Sequence, residues 1–108
     1  MKRNLNKLVR DNIPDIIKAD GGVPSVRVLD DGPYTDALFD KLLEEAEEVR
    51  AARGDMSELE KEIGDVYEVI DAIVAFLNLE KEAILEIKEK RLAERGGFSK
   101  RFYLEAIS

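Results

Sequence analysis

The sequence predicts an all-α protein: an antiparallel helical bundle that is completed by oligomerisation and has short extended N- and C-terminal arms. Apolar residues make up 44% of the 108 residues and charged residues 38%, with only three prolines, which is typical of helix-rich globular chains. Apolar residues recur at helical spacing in the middle of the chain, and the short connections between these segments favour antiparallel neighbours. A chain of this length suits a single domain over residues 1–108.

The N-terminal third contains weaker signals. A short helix is predicted over residues 12–19, because Pro14 lies in its first turn and Gly21 follows its end. Residues 23–29, VPSVRVL, alternate and are rich in β-branched side chains, so they predict a short strand or an extended arm. The turn sequence DDGPY follows.

Three long helices are predicted after this turn. The first should begin near Thr35 or Asp36 and end at Gly54, a favourable C-cap residue. The second has a capping box, with Ser57 at the N-cap and a glutamate three residues later, and should run to about Asn78. The same asparagine is a candidate N-cap for the third helix.

The third long helix should end at Gly96 and Gly97, and residues 98–107 then predict an extended segment or a short hairpin. The second long helix is apolar over a broader arc than a single neighbouring helix can cover. We therefore expect the chain to form a homodimer or a larger homo-oligomer.

The residue types that are missing exclude several kinds of chemistry. There is no cysteine, which excludes disulfides, zinc–thiolate sites and thiol nucleophiles. There is no histidine either, which excludes serine–histidine triads and leaves only oxygen ligands for a metal, as Mg²⁺, Mn²⁺ or Ca²⁺ prefer. Without an apolar run of ~20 residues or a signal-peptide pattern, a cytoplasmic protein with no membrane partner is expected.

The net charge of −7 is unevenly distributed. Residues 1–18 carry five bases and two acids, residues 36–71 carry thirteen acids and four bases, and residues 88–101 carry six bases and two acids. This pattern lacks the continuous basic face of nucleic-acid-binding proteins. It suits a cation in the middle of the chain with an anionic ligand that reaches the basic ends, or simply solvated helix faces that form salt bridges.

Two carboxylates of the second long helix lie on or beside its apolar face. At about 100° per residue, Glu62 falls within the apolar arc and Asp65 falls near its edge. Glu68 and Asp71 fall on the opposite, solvent-facing side. The inward positions are unusual, because a carboxylate loses hydration when it is buried.

The first long helix shows the same arrangement. Glu45 lies among its apolar residues, Glu48 lies at the edge of that face, and Glu44 lies just beyond. If the two helices pack antiparallel, the acidic pairs face one another and repel unless a divalent cation lies between them. Alternatively, the acids occupy the edge of the bundle and pair with basic side chains of the same helices: Lys41, Arg50 or Lys61.

Several motifs together resemble a known family. EEAEE (44–48) followed by EIGD (62–65) resembles the ExxE…ExxD signature of the all-α nucleoside triphosphate pyrophosphatases, the MazG-like superfamily. The opening KLVRDNIP (7–14) and the ending RGGFSKR (95–101) resemble those of a small branch, described as phosphoribosyl-ATP pyrophosphohydrolase-like or house-cleaning enzymes. The match covers both termini and the central helices.

The resemblance implies Mg²⁺-dependent hydrolysis of nucleoside triphosphates, including non-standard or damaged ones, at the α–β phosphoanhydride to a monophosphate and pyrophosphate. Mn²⁺ is the alternative ion. Either Glu44 or Glu45 is a candidate to activate the water, alone or with the metal. The implied metal ligands are Glu45, Glu48, Glu62 and Asp65. The positions implied to contact the nucleotide are Lys7, Arg10, Asp11, Lys90, Arg95, Gly96, Gly97, Phe98 and Lys100.

Some of these residues have simpler explanations. The pair Gly96–Gly97 brings backbone N–H groups to a phosphate or only ends a helix. Phe98 anchors the tail in the core or, alternatively, stacks on a base. Two other functions stay open. One is phosphoribosyl-ATP pyrophosphohydrolase, and the other is a non-catalytic helical adaptor that binds a nucleotide or a partner helix, for which an apolar groove is expected.

Overall fold

The computed structural model describes residues 3–108, and in that part of the chain all regular secondary structure is helical. The predicted all-α class is confirmed. No helix within the described range is long and apolar enough to cross a membrane. The four helices of this range are α1 (Ile13–Ala19), α2 (Asp31–Ala51), α3 (Met56–Phe76) and α4 (Lys81–Arg95).

The segment over residues 23–29 forms no strand, so that part of the prediction is wrong. Two of its three valines do not pack against a neighbour, since Val23 is 95% exposed and Val28 is 99% exposed. An isolated strand has nothing to pair with and is not stable. Residues 98–108 likewise contain no strand, so the alternative of a hairpin at the C-terminus is also wrong. Extended arms at the two ends stay a prediction.

Helix α2 begins at Asp31, four or five residues before the predicted start near Thr35 or Asp36. Pro33 lies in the first turn, where the missing backbone N–H has no helical acceptor to lose, so the DDGPY sequence joins the helix. The helix ends at Ala51 rather than at Gly54 because the chain turns at once, and the Asp55 N–H donates to the Ala52 carbonyl at 2.9 Å.

Helix α3 is capped two residues earlier than predicted. The Asp55 side chain accepts the Glu58 N–H at 3.2 Å, and Ser57 lies inside the helix. Both Asp55 and Ser57 have a glutamate three residues later, and the tight turn after α2 selects the first of them. Asn78 adopts φ 55° after the helix, and the N-cap of α4 is Glu80, so the prediction that Asn78 caps α4 is also wrong.

Two further predictions are confirmed: the short helix near the N-terminus, and the end of the last helix at the glycine pair. Helix α1 has proline in its first turn and occupies the predicted segment. Helix α4 ends at Arg95, and Gly96 takes the C-cap position with φ +82°, a conformation that glycine adopts without steric cost.

The chain divides into two compact units, the first reaching Leu77 and the second comprising Asn78–Ser108. The first unit contains α1, α2 and α3, and the second contains α4 and the tail. That residues 1–108 form a single domain stays a prediction.

The core of the first unit lies between α2 and α3. Leu38 of α2 is 3% exposed and packs with Val69 and Ile73 of α3. Burial stabilises the folded state by roughly 1.5–3 kcal/mol for each such side chain. The rings of Tyr34 and Phe76 meet edge to face with centroids 4.8 Å apart, so the start of α2 lies beside the end of α3 and the two helices are antiparallel.

Helix α3 has a second apolar face that α2 does not cover. Ile63, Tyr67 and Ile70 follow one another at spacings of four and three residues and therefore lie on one side of the helix. They are 37%, 66% and 41% exposed, respectively. We call these three side chains the outer stripe of α3.

Candidate functional site

Three carboxylates converge between α2 and α3. Glu45 of α2 and Glu62 and Asp65 of α3 each offer one oxygen atom, and these oxygens all lie within 4.8 Å of one another. Glu45 is 8% exposed, and the other two are half-buried. The convergence follows from helical periodicity, because Glu62 and Asp65 are three residues apart and share the face that meets α2. We call these three residues the carboxylate cluster.

Basic side chains from two elements contact this region. Arg10, in the segment before α1, donates through Nη2 to Asp65 Oδ1 at 2.7 Å. Lys7 Nζ lies 3.6 Å from Glu44 Oε1, which brings a second residue of the same segment to α2. Lys41 Nζ lies 3.3 Å from Glu44 Oε2 and 3.4 Å from Glu45 Oε1. The structure therefore assembles acids and bases that are distant in the sequence.

Glu62 is the cluster carboxylate that makes no ion pair with any described residue. Its partial burial raises its pKa above the ordinary value of 4.5. The negative charges of Asp65, Glu45, Glu48 and Glu58 raise this pKa further. Among the three carboxylates of the cluster, Glu62 is therefore the one whose negative charge is least compensated.

Glu44 and Glu48, the other two predicted site residues of the EEAEE motif, lie beside the cluster. Glu48 is exposed and lines a shallow open cleft with Glu58 and Glu62, between the end of α2 and the start of α3. Glu44 is half-buried and is held by the two lysines. The predicted roles of Glu48 as a ligand and of Glu44 as an assistant stay predictions.

The ion pairs also bear on the alternative in which the acids form only salt bridges. That alternative is correct for Lys41, which pairs with Glu45. It is wrong for Lys61, which pairs with Glu58 at 3.1 Å rather than with Glu62. The sequence predicts Lys41 only as a salt-bridge partner of the acids and not as a residue of the site. The sequence feature that could have identified Lys41 is its spacing, since it precedes Glu44 by three residues and Glu45 by four on the same helix.

The remaining positions that are implied to contact the nucleotide belong to two parts of the chain. Asp11 is exposed in the turn before α1. The others belong to the second unit, where a pocket is lined by residues 95–102, which include Arg95, Lys100 and the two glycines. Lys90 pairs with Glu94 at 3.9 Å.

Two of the simpler explanations concern residues of the second unit, and a phosphate contact from the Gly97 N–H stays a prediction. The Gly96 N–H donates to the Leu92 carbonyl at 2.9 Å, so it caps α4 and is engaged within the helix. Phe98 is 98% exposed, so the expectation that it anchors the tail in the core is wrong. Its ring is accessible to a ligand, but stacking on a base stays a prediction.

The donor set fits a hard divalent cation. All of the cluster atoms are carboxylate oxygens, the ligands that Mg²⁺, Mn²⁺ and Ca²⁺ prefer. The three oxygens lie within 4.8 Å of one another, so Glu45, Glu62 and Asp65 are the residues that would hold such an ion together. The uncompensated charge at Glu62 favours such an ion electrostatically.

Comparisons with known proteins assign no family. No protein-family model matches the chain, and no solved structure matches it at a significant level. A segment of 46 residues is 52% identical to an uncharacterized protein of Mycolicibacterium smegmatis (strain ATCC 700084 / mc(2)155). The match covers 43% of this chain and 47% of that relative, so the chain aligns with about half of the relative's length.

Proposed function

We propose that the protein is a magnesium-dependent nucleoside triphosphate pyrophosphohydrolase of the MazG-like type. The observation that supports this best is the convergence of Glu45, Glu62 and Asp65 from two antiparallel helices. These are three of the four acids that the resemblance marks as metal ligands, and they come from both halves of its signature. Glu48 would complete the set by rotating towards Glu62 across the cleft that they share.

The charge around the cluster supports an anionic substrate. Lys7 and Arg10 lie beside the acids and have side chains that are 43% and 58% exposed, so both are accessible to a ligand. Arginine and lysine are the usual partners of phosphate oxygens. When bound, Mg²⁺ would supply positive charge to the phosphates and acidify a water molecule. A triphosphate would then meet cations on two sides of the site.

In the proposed reaction, a water oxygen attacks the α-phosphorus and the bond from that phosphorus to the bridging oxygen breaks. Pyrophosphate leaves with the electron pair, and the water proton passes to a carboxylate. Glu44 is suited to accept it, because it lies next to Glu45 and outside the three-carboxylate group. Lys7 and Lys41 hold the Glu44 carboxylate in place. The absence of histidine makes a carboxylate the available base.

The substrate class extends to non-standard or damaged nucleotides, as the resemblance implies. The resemblance also implies phosphate contacts from Arg95 and Lys100, which line the pocket over residues 95–102. We also propose a cytoplasmic protein that acts as a homodimer or larger homo-oligomer. The outer stripe of α3 supports the assembly, since three adjacent apolar side chains are otherwise left in water.

The proposal is tested with a panel of standard, deoxy and modified nucleoside triphosphates, together with phosphoribosyl-ATP, with and without Mg²⁺. Pyrophosphate and orthophosphate are assayed separately. We expect pyrophosphate and a monophosphate only when Mg²⁺ is present. Orthophosphate as the product would place cleavage at another bond, and the absence of turnover on every substrate would favour a non-catalytic adaptor. The charged character of the cleft argues against an adaptor that binds an apolar helix.

A further inference from the structure

Lys41 differs from the surface lysines of the chain. Its side chain is 16% exposed, and its ammonium lies within 3.4 Å of an oxygen of Glu44 and an oxygen of Glu45. Lys61 and Glu58 also form a pair three residues apart, but their side chains are 68% and 51% exposed. Exposed ion pairs contribute little to folding stability. The ammonium of Lys41 is largely covered and lies between two carboxylates, so it helps to fix their positions.

The contacts of Lys41 partly neutralise the acidic site in the metal-free protein. Four acids meet there, the cluster and Glu44, and three bases contact them: Lys7, Arg10 and Lys41. Among these seven groups the balance leaves about one negative charge, at Glu62, which has no basic partner among the described residues. Glu48, in the cleft beside Glu62, adds a further negative charge. Lys41 is the most covered of the three bases, so water screens its charge least.

We infer that Lys41 is a positioning residue that acts as a resident counter-cation. It holds Glu44 and Glu45 in place without metal and opposes the entry of a divalent cation at the carboxylate cluster. The inference rests on the proposed function for one step: a triphosphate brings the negative charge that restores attraction for the ion. Metal and nucleotide therefore bind cooperatively, and the nucleotide-free protein binds metal weakly.

Lys41 opposes metal binding for two physical reasons: its ammonium repels the divalent ion, and the two compete for the carboxylate of Glu45. The ammonium and a divalent ion have the same sign of charge and both use Glu45. Removal of one positive charge within a few ångströms of the ion should strengthen ion binding roughly tenfold, even with strong solvent screening. A purely structural role for Lys41 predicts the opposite sign, because a loosened Glu45 would bind the ion less well.

The experiment is a titration of the full chain with Mn²⁺, in which free Mn²⁺ is measured by electron paramagnetic resonance. The variants are Lys41→Met and Lys41→Gln, which remove the charge, and Lys41→Arg, which keeps it. Lys61→Met is the matched control, since it removes an exposed lysine that is also paired three residues away. We expect roughly tenfold tighter binding in the first two variants and changes within about twofold in the other two.

A second measurement uses unmodified protein with an α,β-methylene triphosphate analogue, which resists cleavage at the proposed bond. The analogue should strengthen Mn²⁺ binding at least roughly tenfold in the parent protein, as coupled ligands do. Unchanged or weaker binding in the charge-removing variants, no coupling in the parent, or no Mn²⁺ binding at all would each overturn the inference. If these results appear as expected but no triphosphate releases pyrophosphate, the proposed function fails and the inference stands.

Discussion

The edge-to-face contact between Tyr34 and Phe76, with centroids 4.8 Å apart, sets the alignment of α2 with α3. Glu45 lies eleven residues after Tyr34, and Asp65 lies eleven residues before Phe76. At 1.5 Å per residue, both carboxylates are about 16 Å along their helices from the aromatic pair. An aromatic contact at one end of the helix pair therefore brings acids of the two helices to the same level near the other end.

The first prediction compares two glutamates of α3. Glu62 is half-buried in the carboxylate cluster, whereas Glu68 is exposed. Glu62→Gln should lower turnover at least roughly 100-fold, because loss of an outer partner of a metal ligand already costs 10–100-fold. Glu68→Gln should keep turnover within a few-fold of the parent. Pyrophosphate release at saturating Mg²⁺ measures both variants, and equal activities would refute the role of Glu62.

The second prediction concerns pH. Partial burial and neighbouring carboxylates raise the pKa of Glu62 in the folded chain above 4.5. A carboxyl group with a raised pKa adds stability that is fully present below 4.5 and is lost as the pH rises through the folded-state pKa. At neutral pH without metal, Glu62→Gln should therefore unfold at a higher urea concentration than the parent.

The advantage of Glu62→Gln should shrink as the pH falls through the same interval. Urea unfolding in EDTA at several pH values measures this change, with Glu68→Gln as the control for loss of an exposed charge. An advantage that stays constant with pH would mean that relief of charge at Glu62 is not its cause.

The third prediction is that Mg²⁺ or Mn²⁺ stabilises the fold. An ion that binds only the native chain adds about 1.4 kcal/mol at ten times its Kd, which raises Tm by several degrees in a protein of this size. Because the nucleotide-free protein is expected to bind metal weakly, thermal melts over a series of rising millimolar Mg²⁺ concentrations, compared with EDTA, measure the effect. Glu62→Gln should lose most of the shift, and superimposable melts of the parent would argue against a site formed before the ion binds.

The fourth prediction concerns assembly through the outer stripe of α3. Light scattering at micromolar concentration should show a dimer or larger oligomer, and Tyr67→Lys should shift it towards monomer, because a buried lysine without a partner is unfavourable. Glu68→Lys places the same side chain one residue further on, away from the stripe, and should leave the assembly intact. A monomeric parent would exclude the assembly.

The long amphipathic segments were predictable because their periodicity extends over several turns. The same periodicity brought Glu45, Glu62 and Asp65 together on facing helices, as expected. Helix ends were less predictable. Asp55 and Ser57 satisfy the same local capping rule, and only the turn after α2 decides between them.

Tertiary contacts account for the remaining differences. Residues 23–29 have the composition of a strand, but a strand needs a partner, and Val28 is left 99% exposed. The sequence placed Lys41 near Glu45, but it did not show that this lysine would be covered and would contact two acids at once. For Phe98 the sequence leaves open stacking on a base or burial in the core, because aromatic character alone does not specify burial, and the side chain is 98% exposed.

The hydrogen bond from Arg10 to Asp65 joins residues that are 55 positions apart in the chain. Helices α2 and α3, by contrast, are neighbours with a short connection, so their pairing closes only a small loop. We expect this helical hairpin to form early in folding and the segment around Arg10 to dock late, since distant contacts close slowly. The carboxylates would then pass through an interval in which Lys41, the basic partner within α2, is their main protection against mutual repulsion.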